Sequence, residues 1–125
     1  MTISEGLQGT ADLVVTDDDT AIALGSGDVP VLGTPRVLAL AEAATVAALA
    51  GHLDEGYTSV GTNVALSHSA PTPVGARVQA EAVLSRVEGK RLEFDITVTQ
   101  GASVIAEGTV ARAIVNRDRF LATAR

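Results

Sequence analysis

An α+β domain is what the sequence predicts, with a curved antiparallel sheet of about five strands wrapped round one long helix. Three observations predict it. Residues 34–51, TPRVLALAEAATVAALAG, read as a helix that is apolar almost all the way round and so needs cover on most sides. From residue 57 onward the chain runs in segments of alternating apolar and polar residues, separated by turn-forming residues. The 125 residues, 46% hydrophobic and 19% charged, suit a single domain over 1–125 with a real core. One long helix beside a run of strands is α+β.

Residues 6–16, GLQGTADLVVT, alternate and end in Val14 and Val15, which predicts a strand. Residues 17–33 are rich in Asp and Gly and contain Pro30, so they read as a loop with at most a short helical turn. A connection this long in a small domain is often a lid or binding segment. In the helix, Thr34 is expected as N-cap, Pro35 as the first helical residue and Gly51 just past the end. Leu38, Ala41, Thr45, Ala48 and Leu49 mark one apolar face, and Val37, Leu40, Ala44 and Ala47 fill much of the rest. Strands follow over 57–70, 76–87, 91–100 and 104–116. In the first, strict alternation puts Val60, Thr62, Val64, Leu66 and His68 on one side and Gly61, Asn63, Ala65 and Ser67 on the other. In the next two, Val78, Ala80, Ala82 and Leu84, then Leu92, Phe94, Ile96 and Val98, point inward. EGK (88–90) reads as a tight hairpin, 104–116 as a strand buried on both sides, and RDRFLATAR as a polar tail.

Composition excludes several classes of function. The formal net charge is −6, and only Tyr57, Phe94 and Phe120 are aromatic, so a phosphate-backbone groove with stacking platforms is not expected. Cysteine is absent, which removes disulfides, thiolate catalysis and cysteine zinc sites. The two histidines are not spaced as metal ligands, and no GxGxxG, phosphate-loop or serine-elbow motif occurs. No leader or membrane-spanning segment is read, so the expectation is a cytoplasmic protein without metal or cofactor.

Five residues stand out. Glu42 is a carboxylate on an apolar helix, a placement costing several kcal/mol unless it is paired or lines a cavity. His68 shares the inward face of its strand, where a satisfied core histidine and a site histidine are both open readings. Arg112 sits between alanines in the most apolar strand, as a partner for Glu42 or a holder of an anion. Thr34 is first a cap, and its hydroxyl also stands where a helix N-terminus favours carbonyls and anions. His52, just past the helix, reads as a partner of the helix dipole.

Four stretches then match a known family: GTPRVLALAEAA on the helix, SVGTNVALSHSAPTPVG on the next strand and turn, LSRVEGKRLEF in the hairpin, and GTVARAIVNRDRF. Together they cover most of residues 33–120. The chain resembles the hotdog-fold thioesterases related to fluoroacetyl-CoA thioesterase. The resemblance implies a hotdog fold, pairing into homodimers or tetramers, and hydrolysis of an acyl-CoA thioester, with coenzyme A as part of the substrate. It implies a catalytic group at Thr34, Glu42 and His68, with Gly61 near the acyl group and Arg112 in the same site. The family's aromatic lid, implied in selecting a fluorinated acyl group, has no counterpart in residues 17–33, which lack Phe, Trp and Tyr. Glu42 would attack the thioester carbon or activate a water, and His68 would position that water or protonate the leaving thiolate. A non-catalytic acyl-CoA-binding domain, a hotdog enoyl-CoA hydratase and a structural dimer are the alternatives. Thr34 and Glu42 are eight residues apart, roughly 12 Å along a regular helix, so they cannot touch directly within it.

Overall fold

Five antiparallel strands and one long helix carry the fold in the computed structural model, which describes residues 3–124. Met1, Thr2 and Arg125, the ends of the expected 1–125 domain, lie outside the described residues. Strand β1 is Gln8–Val14; a 3₁₀ turn (Asp17–Asp19) and a one-turn helix α1 (Ala21–Leu24) follow; the long helix α2 is Thr34–Leu49. Then come β2 (Tyr57–His68), β3 (Arg77–Glu88), β4 (Arg91–Gln100) and β5 (Ser103–Asn116). The expected polar tail is in part a short helix α3, Arg117–Leu121, because the Asn116 side chain caps it by accepting from Arg119 N–H at 3.0 Å.

The strand order is β1-β3-β4-β5-β2. Only β3, β4 and β5 form the simple meander that reading strand after strand suggests. β2 pairs with β5 at the far edge, and residues 69–76 carry the chain back across to β3. Adjacency in sequence does not dictate adjacency in a sheet once the link is longer than a hairpin turn.

The inward sets expected for β3 and β4 are all buried, from Val78 to Leu84 and from Leu92 to Val98. With Val37, Leu40, Ala41, Ala44, Ala48 and Leu49 of α2 they make the core, each larger aliphatic side chain worth about 1.5–3 kcal/mol when buried. Helix and sheet approach closely because both surfaces are small. A Cβ on Gly9 of β1 would collide with the helix backbone at Ala44 and Ala48. The helix ends as expected, with Gly51 in the left-handed region at φ +79°. Its cover is less complete than its composition suggests. Ala39, Ala43, Val46 and Ala47 form an exposed stripe on α2, since the sheet curls round only one side.

Candidate active site

The α2 N-terminus does not begin where the cap preference suggests. Gly33 is the N-cap, without a side chain to cap anything, and Thr34 is the first helical residue with Pro35 second. That single-residue offset frees the Thr34 hydroxyl. It lies 2.8 Å from His68 Nδ1 at the end of β2, within one hydrogen bond. The other ring nitrogen, Nε2, is buried without a partner among the described residues. Buried polar atoms are rarely left so, and those that are point to chemistry or to a bound molecule. Thr34 and His68 line an open cleft of about 380 Å³, whose opposite wall is the 17–33 segment with Ala21, Val29 and Val31.

Glu42 and Arg112 form a second group. Arg112 Nη1 donates to Glu42 Oε2 at 3.2 Å, Nε to the Ser59 hydroxyl at 2.9 Å, and Nη2 to the Ser59 carbonyl at 3.0 Å. The buried member of the pair is the arginine, whose side chain is 7% exposed against 39% for Glu42. Burial lowers the Arg112 guanidinium from its ordinary value, and Glu42 opposes that shift. Glu42 is thus half-exposed rather than buried, because it faces β2, an edge strand with no neighbour beyond it.

Gly61 belongs with this pair through a break in alternation. Gly61 opposes Arg112 while Asn63 opposes Ala111, so β2 holds one extra residue at this point. One inserted residue reverses which side chains face in. Before it, Ser59 and Gly61 face the helix; after it, Val64, Leu66 and His68 do. Strict alternation, which separates Gly61 from His68, is therefore wrong, and both point to the helix. A Cβ on Gly61 would overlap Glu42 Oε2, so only glycine leaves the carboxylate its place.

The structure pairs Thr34 with His68 and Glu42 with Arg112 over Gly61, and it does not join the two pairs. Thr34 and Glu42 keep the roughly 12 Å separation of eight helical residues. Ser59, which grips Arg112 twice, carried no signal in the sequence. His52 lies apart, by Tyr57 and Lys90. Among the described residues no cluster of three or more metal-ligating side chains occurs, and no helix is long and apolar enough to cross a membrane.

Comparison with known proteins bears on this geometry. Residues 15–118, taking in both pairs, match the family described as fluoroacetyl-CoA-specific thioesterase. The chain belongs to that family. A fluoroacetyl-CoA thioesterase of Streptantibioticus cattleyicolor is 37% identical over 95 residues, 76% of this chain and 68% of that one. A solved structure of the fluoroacetyl-CoA thioesterase FlK superposes with a TM-score of 0.93 at 32% identity, covering 100% of this chain and 97% of that one. A hot-dog-like protein from Thermanaerovibrio acidaminovorans, 24% identical, shares the fold with a TM-score of 0.88 over 96% of this chain and 89% of its own. The thioesterase family thus accounts for the hotdog architecture that the α2 pattern and the strand segments predict.

Proposed function

We propose that this chain hydrolyses acyl-CoA thioesters to the free acid and coenzyme A, with Thr34, Glu42, His68, Gly61 and Arg112 as its site. Family membership supports the reaction class. The observation that carries the site is the pairing itself. The chain's one inward-facing histidine meets a threonine hydroxyl in a cleft, and the one carboxylate of α2 is held by a buried arginine over a glycine that makes room for it.

The division of labour follows from the contacts. Arg112 holds Oε2 of Glu42, and no described residue holds Oε1, the oxygen left to attack the thioester carbon or to take a proton from water. Thr34 orients the His68 ring at Nδ1 and so leaves Nε2 to meet the water or the departing thiolate. The Gly61 N–H, beside Glu42, supplies a donor for the developing oxyanion, and the α2 N-terminus, on the Thr34 side, adds the field of its helix dipole. The acyl group is not that of FlK by default, because residues 17–33, which wall the cleft, contain no aromatic side chain. The active form is a homodimer, or a tetramer of two such dimers. The unpaired β2 edge and the exposed apolar stripe on α2 both support a second copy alongside. The compartment we propose is the cytoplasm, as expected from the sequence.

A panel of acyl-CoAs with a chromogenic thiol reagent tests this, and the cysteine-free chain adds no background. Thiol release from at least one member is expected. Glu42→Gln and His68→Ala should each lower turnover by about 10²-fold or more while remaining folded. Full activity in both variants refutes the site, and binding of CoA esters without thiol release would make the protein a carrier.

A further inference from the structure

Arg36 is oddly placed for its helix. It is the third residue of α2, at the positive end of the helix dipole, where a cation is unfavourable. No acidic residue in that first turn offsets it. The offset comes from Asp19, in the segment before the helix, whose Oδ1 accepts from Arg36 Nε at 3.1 Å. Asp19 Oδ2 accepts from the Thr16 amide at 2.8 Å and from the Thr16 hydroxyl at 3.0 Å. The Asp19 carbonyl accepts from Gly33 N–H at 2.9 Å.

One residue therefore grips the chain on both sides of Thr34, at the backbone just before it and at the side chain two residues after it. The grip is built rather than incidental. Asp19 is 9% exposed, and although burial disfavours its charge, the Thr16 and Arg36 donors outweigh burial and hold its carboxyl below the usual range. Gly33 is seated so tightly that a Cβ would come within 3.0–3.1 Å of Leu24 and Ala21. The same segment reaches the other half of the pair: Leu32 N–H donates to the carbonyl of Thr72, four residues after His68, at 2.9 Å.

We propose that Asp19, acting through Arg36 and the Gly33 amide, is a positioning residue that sets the start of α2 so that the Thr34 hydroxyl meets His68 Nδ1. The inference rests on the thioesterase reading of that site. It is a statement about geometry at Thr34, since Asp19 itself does not line the cleft.

The test compares Asp19→Asn, Arg36→Gln and Arg36→Lys with the wild type. Thiol release is measured with the acyl-CoA that the wild type hydrolyses best, beside melting temperatures and the ¹⁵N resonances of the His68 imidazole. Asp19→Asn and Arg36→Gln should lower kcat about tenfold, change KM by less than about threefold, and shift the His68 Nδ1 resonance. Arg36→Lys, which keeps a donor and a charge, should recover most of the loss. The proposal is overturned if both disruptive variants keep wild-type kcat and His68 resonances while only their melting temperatures fall. If Asp19→Asn fails to fold, Arg36→Gln, which leaves the Thr16 bonds intact, decides alone. If the wild type releases no thiol from any acyl-CoA, the thioesterase reading fails, and the His68 resonances still judge the positioning by themselves.

Discussion

At the scale of single residues, two glycines show that the same atom added in two places has different consequences. At Gly61 a methyl group would meet the end of the Glu42 side chain, which can swing away toward solvent. Gly61→Ala is therefore expected to cost less than about 1 kcal/mol of stability. Turnover should nonetheless fall on the order of tenfold or more, because the carboxylate leaves its place beside Arg112. At Gly9 the methyl group would meet the backbone of α2, which can yield only by moving the whole helix. Gly9→Ala should cost about 1–3 kcal/mol or more, read as a lowered melting temperature. Activity per folded molecule then follows helix position rather than side-chain chemistry. A thermal melt and a thiol-release assay on the two variants separate these outcomes.

At the scale of elements, the segment between β1 and α2 is a structured wall rather than a loose loop. A 3₁₀ turn, one turn of helix and isolated bridges from Thr20 to Leu32 and from Val31 to Pro73 hold it. Its hub, Asp19, makes the segment sensitive to acid in a definite direction. The folded state holds this carboxyl below its unfolded value of about 3.9, so its contribution is complete above that pH and is lost as pH falls through the folded value. Melting temperature should drop below about pH 4, and Asp19→Asn should flatten that part of the profile while lowering stability at neutral pH. An acid limb of equal steepness in the variant would assign it to other carboxylates. Much of the site could be read at this scale beforehand. Glu42, His68 and Arg112 were visible as polar residues in apolar patterns. The true place of Gly61 was not visible, because the extra residue in β2 leaves no mark in a pattern of alternation.

For the molecule as a whole, the unfinished surfaces matter most. β2 is a twelve-residue strand at the sheet edge, and long uncovered edges invite pairing. Sedimentation should give a dimer of about 25 kDa, twice the chain's 12.7 kDa, or a multiple of it. A monomer at micromolar concentration would leave the two side-chain pairs as the full extent of the site.

Local pattern alone is enough for the helix, for the inward faces of β3 and β4 and for the prominence of Glu42, His68 and Arg112 as polar residues in apolar surroundings. Each follows from spacing along one element, and the energy of burying or exposing a side chain acts at that range. Packing between elements sends β2 to the far edge and releases Thr34 from capping to meet His68. It also turns Gly61 inward and brings Asp19 across to Arg36. Those outcomes depend on contacts between residues 17 to 70 positions apart in the chain, for which no local pattern exists.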